Sequence, residues 1–342
     1  MIKLCNAGYN ACVKEITLTK ETFSWCQSAL SGSTESVRDI SLLKAEASHR
    51  SFYRITTEKR SLILMESPPQ KERNDLFIAI GAAFFAHQIP VASLIAHEES
   101  SGRFLMTDLG AADLESHYGK SSQNAALKAA IDLLPKVATA SAEHIAPYTK
   151  ERMHEELHIF YHWFMVKMLG LSGYQDTFDG ICEILVDDID AQPTCCIHRD
   201  YHCRNVLYNQ KKLGIVDFQD ALRGPLMYDI ASLLRDCYYT FEESQVDSWL
   251  AYFMSITPAL TNASFTTTKQ RFDWTAIQRQ LKAIGIFARL HLRDGKTTHL
   301  RYIAPVLDQL LDQTRRYPEL HALPQVLTRC AQAFEFARPQ TP

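Results

Sequence analysis

The residues whose types and spacing could do chemistry are His198-Arg199-Asp200-Tyr201-His202-Cys203-Arg204-Asn205, followed twelve residues after the asparagine by Asp217-Phe218-Gln219-Asp220. The first eight fit H-R-D-x-x-x-x-N, in which the aspartate takes the proton of an attacking hydroxyl and the asparagine holds magnesium beside a transferring phosphoryl group. Asp217 supplies a second hard-oxygen ligand. Mg2+ takes one or two ligands from protein and the rest from water and phosphate, so the amide of Asn205 and the carboxylate of Asp217 suffice. The implied chemistry is phosphoryl transfer to a hydroxyl with Asp200 as base. His202 either helps to place Asp200 or the acceptor, or is a satisfied loop histidine. The competing use of Asp200 and Asn205 as turn caps does not account for the match in type and order running on to Asp217.

The surrounding pattern is built to position these groups. Cys195, Cys196 and Ile197 form an apolar run before the motif. After it, Val206-Leu207-Tyr208, a polar turn at Asn209 to Lys212 and Leu213-Gly214-Ile215-Val216 read as a hairpin that folds Asp217 back beside Asn205. In protein kinases the metal-binding aspartate sits in D-F-G and an activation loop ending in A-P-E follows. Here Gln219 replaces that glycine, and the chain passes Arg223-Gly224-Pro225 into a helix beginning near Tyr228-Asp229. With no room for a peptide-docking loop, the acceptor is expected to be a small molecule.

Upstream, Thr19 caps a short helix carrying Phe23, Cys26 and Leu30 and ending near Gly32. Strands are expected at 40–45, 51–56, 61–66, 91–96 and 103–107, with a helix at 72–88 between the third and fourth. Downstream, apolar spacing predicts helices at 122–144, kinked by Pro135, and at 151–169, 229–239, 244–256, 274–293, 298–314 and 321–336.

Counted with His202, the catalytic string resembles the signature H-x-D-x-H-x-x-x-N of the aminoglycoside phosphotransferase superfamily. That resemblance implies an α+β, bilobed protein-kinase-like fold, with a small antiparallel-sheet N-lobe and a larger, mainly helical C-lobe. It also implies ATP as donor, Mg2+ as cofactor, and Asp229 as a buried brace of the catalytic loop; alternatively, Asp229 interacts with a helix dipole. The implied division is an N-terminal helical extension (1–36), an ATP-binding N-lobe (37–109) and a catalytic, sugar-binding C-lobe (110–342). Met106-Thr107-Asp108-Leu109 is then the interlobe segment whose backbone binds adenine, and the turn at 46–50 covers the ATP phosphates. Two departures stand out. Residues 44–54 contain no glycine, and Met65 occupies the place of the phosphate-binding lysine. Arg50 or Arg54 can replace that charge, since guanidinium binds phosphate bidentately; alternatively, both lie on solvated strand or turn positions.

A narrower resemblance rests on Glu46 to Arg54, Leu64 to Pro69, Asp217 to Ala221, Leu233 to Tyr238, Gly285 to Leu290 and Arg293 to Lys296. These strings look like the anomeric N-acetylmuramate/N-acetylglucosamine kinases of bacterial cell-wall recycling. The implied activity is phosphorylation of the anomeric hydroxyl of those sugars, with Glu156 and Trp163 as sugar contacts. Between Ile286 and Arg301, Arg289, Arg293, Lys296 and Arg301 outnumber Asp294. This surplus favours a carboxylated sugar over a polycation, so Arg289 and Arg293 join the substrate candidates. The alternatives are a kinase for an aminoglycoside, choline or homoserine, and a nucleotide-binding pseudokinase.

With 342 residues, 46% hydrophobic and 22% charged, the chain has the composition of an ordinary soluble globular protein, and its net charge of -3 gives no reason to expect nucleic acid or a membrane surface as partner. Nine cysteines without zinc-like pairing argue for a reducing, cytoplasmic compartment. Cys203 is either a reactive thiol or a packing residue. ATP and an amino sugar are the expected partners of a monomer or weak dimer.

Overall fold

A computed structural model describes residues 18–31, 35–43, 49–141 and 145–337. These fall into two compact units, one within Met1–Ala112 plus Leu207–Gln219 and the other within Asp113–Val206 plus Asp220–Pro342. The division therefore differs from a single boundary after residue 109. The segment after the catalytic motif goes with the first unit because its backbone bonds there: Tyr208 N–H donates to Ala112 and Ile215 N–H to Pro90, each at 2.8 Å.

The first unit contains α1 (Lys20–Ala29), β1 (Val37–Leu43), β2 (Ser51–Thr57), β3 (Ser61–Glu66), α2 (Asn74–Ala86), β4 (Leu94–Glu98) and β5 (Arg103–Thr107). The Thr19 hydroxyl accepts the Thr22 N–H at 3.1 Å, the expected cap of α1. The strands form one antiparallel sheet in the order β1-β2-β3-β5-β4. Tyr53, Ile55, Leu62 and Leu64 alternate along β2 and β3 and join Cys26, Leu30 and Leu105 in one cluster, as a period of two requires. On the next residue of β5, Phe104 meets Phe77 of α2 edge-on, with centroids 5.6 Å apart, so this strand is buried on both faces. The fourth strand starts at Leu94, later than expected, because Val91 bridges to Ile215 instead. Ala45 and most of the expected phosphate turn lie outside the described residues.

The second unit begins with α3 (Gln123–Ala138), which continues three residues past Pro135. Next come α4 (Lys150–Ile159), a π-helical stretch Phe160–Met168, α5 (Gln175–Asp190) and β6 (Thr194–Ile197). The hairpin strands β7 (Val206–Asn209) and β8 (Lys212–Ile215), which from Leu207 onward belong to the first unit, turn through Gln210 and Lys211, both at positive φ, the geometry of a type I′ turn. Then β9 (Leu222–Pro225) pairs with β6, and α6 (Tyr228–Leu234), α7 (Glu243–Ile256), α8 (Phe265–Asp294), α9 (Ile303–Thr314) and α10 (Leu323–Ala337) complete the chain. Helix α5 was not anticipated. Its buried stripe of Phe178, Ile181, Cys182, Leu185, Val186 and Ile189 has helical spacing, but Gly180 and interspersed acidic residues disguise it.

The 30-residue α8 runs through a large core, which its apolar residues share with those of α4, the π-helical stretch, α5, α9 and α10. Gly285 permits one of these contacts: a Cβ there would lie 2.5 Å from the Phe160 nitrogen and 2.6 Å from the Ile159 carbonyl carbon. Both are backbone atoms, so a substituent must displace a helix. Gly285→Ala is expected to destabilise the protein by about 1–3 kcal/mol through overpacking, read as a lower urea midpoint at unchanged slope. An unaltered midpoint would contradict this close approach.

Candidate active site

The catalytic string leaves β6 at Ile197 and reaches β7 at Val206 in a loop held by buried carboxylates. Asp229, in the first turn of α6, accepts the backbone N–H of His198 at 2.6 Å and of Arg199 at 3.0 Å. Arg199 has φ +78°, a left-handed conformation that non-glycine residues adopt only under constraint. Asp236 accepts the N–H groups of Cys203 and Tyr238 at 2.8 and 2.9 Å. Tyr201 is sealed inside with its hydroxyl on the Ala130 carbonyl at 2.9 Å. Burial pushes the Asp229 carboxyl up to about 7, although both N–H bonds act to lower it. Cys203 is fully buried, and burial followed by the Asp236 charge pushes its thiol up, so it is a packing residue and not a reactive thiol.

Between these anchors, Asp200 and His202 turn toward a cavity of about 130 Å³ that is also lined by Asp236, Tyr238, Arg279 and Lys282. This is smaller than a complete ligand pocket. The Asp200 carboxylate makes no hydrogen bond with a described residue. Burial acts to raise its pKa, but nearby cations led by Lys282 and including Arg199 and Arg279 outweigh burial and hold it at about 2. It is therefore an ionised acceptor facing the cavity. Asn205 Nδ2 donates to the Asp200 carbonyl at 3.0 Å and lies 3.4 Å from His202 Nε2. An amide nitrogen only donates, so this contact is a hydrogen bond in the tautomer that leaves His202 Nε2 unprotonated.

Glu156 shows why the cations gather there. It is 5% exposed and pairs with Arg199, with Lys282 at 3.3 Å, and with the Tyr148 hydroxyl. Burial acts to raise its carboxyl, yet Lys282 and Arg199 hold it down at about 2. Lys282 also reaches the Tyr228 hydroxyl at 3.3 Å. Neither Lys282 nor Arg279 was singled out from sequence. The available signal was two cations at 279 and 282 on the otherwise apolar strip that continues through Ala283, Ile286 and Phe287 of a long helix.

None of the four expected substrate contacts lines this cavity. Glu156 is committed to its ion pairs. Trp163 belongs to the π-helical stretch and carries Lys167 Nζ 3.8 Å from its ring centre. Arg289 is half-buried, and Arg293 is exposed and paired with Asp294 at 2.8 Å.

In the first unit, the expected phosphate cations have other partners. Arg50 is buried, bonded to Ser67 Oγ at 3.2 Å and paired with Glu72 at 3.4 Å. Arg54 donates to Asp108 at 2.6 and 3.2 Å and to the Gly110 carbonyl at 3.2 Å, and Ser61 adds a 2.6 Å bond to Asp108. Two expected nucleotide contacts, Arg54 and Asp108, thus neutralise each other. Burial acts to raise the Asp108 carboxyl, and these bonds outweigh it. Met106 is buried in β5, while the Thr107 hydroxyl accepts the Ser93 N–H at 2.9 Å. The Leu109 carbonyl accepts from Asn209 Nδ2 at 3.0 Å. Gly110 has φ +99°, and a Cβ there would lie 2.4 Å from Asn209 Cγ, so only glycine fits. Asp217 has φ +65° and accepts from Gln219 Nε2 at 2.7 Å, and the neighbouring Phe218 ring stacks on Phe77 with centroids 5.1 Å apart.

The Glu156 carboxyl has a lowered pKa, so its stabilisation is present above its unfolded value of 4.5 and is lost as pH falls toward about 2. The shift corresponds to about 3 kcal/mol. Glu156→Gln is expected to lower the melting temperature at pH 7 and to flatten the stability profile between pH 4.5 and 2. Parallel acid limbs in variant and wild type would refute the network.

The profile of the family described as Phosphotransferase enzyme family (APH) matches residues 39–260. Over 297 residues the chain is 32% identical to an N-acetylmuramate/N-acetylglucosamine kinase of Neisseria meningitidis, covering 83% of this chain and 88% of that protein. A protein of the same name from Pseudomonas putida is 28% identical over 295 residues, covering 84% and 87%. Among solved structures, an ethanolamine kinase of Plasmodium vivax superposes with a TM-score of 0.62 over 95% of this chain and 94% of that one. Its 7% identity makes this a likeness of fold. Kinases of this family use ATP. Among the described residues, no helix is long and apolar enough to cross a membrane. The motif, its bracing and the extent of the match agree: the chain belongs to the APH phosphotransferase enzyme family and is a kinase of small-molecule hydroxyls.

Proposed function

We propose that this kinase transfers the γ-phosphoryl group of ATP to the anomeric hydroxyl of N-acetylmuramate, and also of N-acetylglucosamine, in cytoplasmic peptidoglycan recycling, as a monomer or weak dimer. The observation that carries this reading is the ionised Asp200 in a cavity it shares with Arg279 and Lys282. That surrounding repels a polycationic acceptor and accepts a neutral or carboxylated sugar. The identity of the relatives reported above supports the choice of sugar.

Asp200 orients the acceptor hydroxyl and takes its proton. An anomeric hydroxyl is more acidic than an ordinary alcohol, so a carboxylate with a low pKa suffices as base. His202 holds Asn205, and the brace from Asp229 keeps Asp200 directed at the acceptor. The amide oxygen of Asn205 and the carboxylate of Asp217 would each offer magnesium a hard ligand. When bound, Mg2+ supplies charge neutralisation at the ATP phosphates. The backbone of Met106, Thr107, Asp108 and Leu109 receives adenine, and Arg54 keeps that segment in shape through Asp108. Arg50, paired with Glu72, stands in for the cation–carboxylate pair that a lysine in place of Met65 would form.

The test is transfer from ATP and magnesium to a panel of N-acetylmuramate, N-acetylglucosamine, kanamycin, choline and homoserine, with products assigned by phosphorus NMR. The expected product is a sugar 1-phosphate, with kcat reduced about 10²- to 10⁴-fold in Asp200→Ala. Transfer confined to kanamycin, choline or homoserine would overturn the assignment. Because Asp200 stays ionised down to about pH 2, its protonation is expected to leave kcat/KM untouched above roughly pH 4. An acid limb near pH 6 that disappears in an Asp200 variant with residual activity would contradict that environment.

A further inference from the structure

We propose that Arg279 reads a carboxylate on the acceptor and so sets the preference between a carboxylated and an uncarboxylated amino sugar; this rests on the sugar-kinase reading above. Three permanent cations surround Asp200, namely Arg199, Lys282 and Arg279. Two are spoken for. Arg199 pairs with Glu156, and Lys282 is shared between Glu156 and the Tyr228 hydroxyl. Arg279 differs from both. It lines the cavity, yet forms no ion pair or side-chain hydrogen bond with any described residue, and its Nε is sealed from solvent without a partner. Its guanidinium lies beside the Tyr228 ring, 5.1 Å from the centroid.

The neighbouring carboxylates are already engaged: Asp236 with the N–H groups of Cys203 and Tyr238, Asp229 with those of His198 and Arg199. Arg279 thus lines the cavity with a guanidinium that makes no hydrogen bond or ion pair with a described residue, and with Nε sealed, its terminal nitrogens are the donors left for a ligand. The group that satisfies such a fork with two parallel charge-assisted bonds is a carboxylate or a phosphate. A carboxylate carried by the acceptor enters the cavity together with the hydroxyl that Asp200 activates. A cationic amine in that place meets repulsion, and a neutral sugar leaves the fork unmatched. Arg289 and Arg293 are less suited to the same group. They lie ten and fourteen residues farther along α8, roughly 15 and 21 Å at 1.5 Å per residue, and neither lines the cavity.

The experiment compares kcat/KM for N-acetylmuramate with that for N-acetylglucosamine in wild type, Arg279→Met, Arg279→Lys and Arg289→Ala. The ratio of the two is expected to fall about 10- to 100-fold in Arg279→Met, the loss of a charged hydrogen bond, chiefly through KM. Arg279→Lys, which keeps the charge but not the fork, is expected to fall between wild type and Arg279→Met. It also provides the reading if the methionine variant fails to fold. A ratio that stays constant while both rates drop would assign Arg279 to the transferring phosphoryl group or to structure, and would overturn the proposal. So would a ratio that moves in Arg289→Ala and not at Arg279. If wild type phosphorylates neither sugar, the amino-sugar reading fails and this inference falls with it, an outcome distinct from activity on both with an unmoved ratio.

Discussion

The catalytic loop depends on one carboxylate. Asp229 sits where water does not compensate its charge, and accepts the two backbone N–H groups that immediately precede Asp200. These bonds hold Arg199 in a left-handed conformation that would otherwise cost on the order of 1–3 kcal/mol. The consequence is directional: with Arg199 so turned, Tyr201 goes inward to Ala130 while Asp200 faces the cavity. Burial raises the Asp229 carboxyl to about 7, so the brace is an expensive one, as expected of a dry acid that serves geometry.

Charge balance around Asp200 follows from a second buried carboxylate. Glu156 collects Arg199 and Lys282, and this permits two long cationic side chains to remain inside a core of aromatic and aliphatic residues. Their charges then keep Asp200 ionised without bonding to its oxygens. A base whose lone pairs are left to the acceptor, and whose anion is stabilised from a short distance, is preorganised for taking a hydroxyl proton. Of the three cations, Arg279 is the one that this arrangement leaves with no ion pair or side-chain hydrogen bond among the described residues, only the Tyr228 ring beside it.

The first unit resolves the lack of glycine and lysine differently from expectation. The two arginines expected at the phosphates each have protein partners: Arg50 bonds Ser67 and Glu72, and Arg54 clamps Asp108 and the Gly110 carbonyl. From the other side, Asn209 bonds the Leu109 and Ala112 carbonyls and the Ala112 N–H. The segment after β5 is thereby fixed by a strand on one side and by the hairpin on the other, which also explains why 207–219 goes with this unit.

Much of this was legible in the chain itself. The order and spacing of Asp200, Asn205 and Asp217, the alternation of β2, β3 and β5, and the stripes of α2, α4 and α8 are local patterns, and local patterns follow from backbone geometry. Other features required residues distant in sequence to meet. Glu156 had the composition of a sugar contact until Arg199 and Lys282, 43 and 126 positions away, arrived as its partners. The surplus of charge near Arg289 and Arg293 is plain in the sequence, but neither residue lines the cavity, whereas the less conspicuous Arg279 and Lys282 do. The sequence by itself determined which groups can do the chemistry and in what local frame. Only the tertiary structure decided which charges are spent on one another and which remain for a ligand, because pairing depends on through-space distance and burial that no single helix or strand encodes.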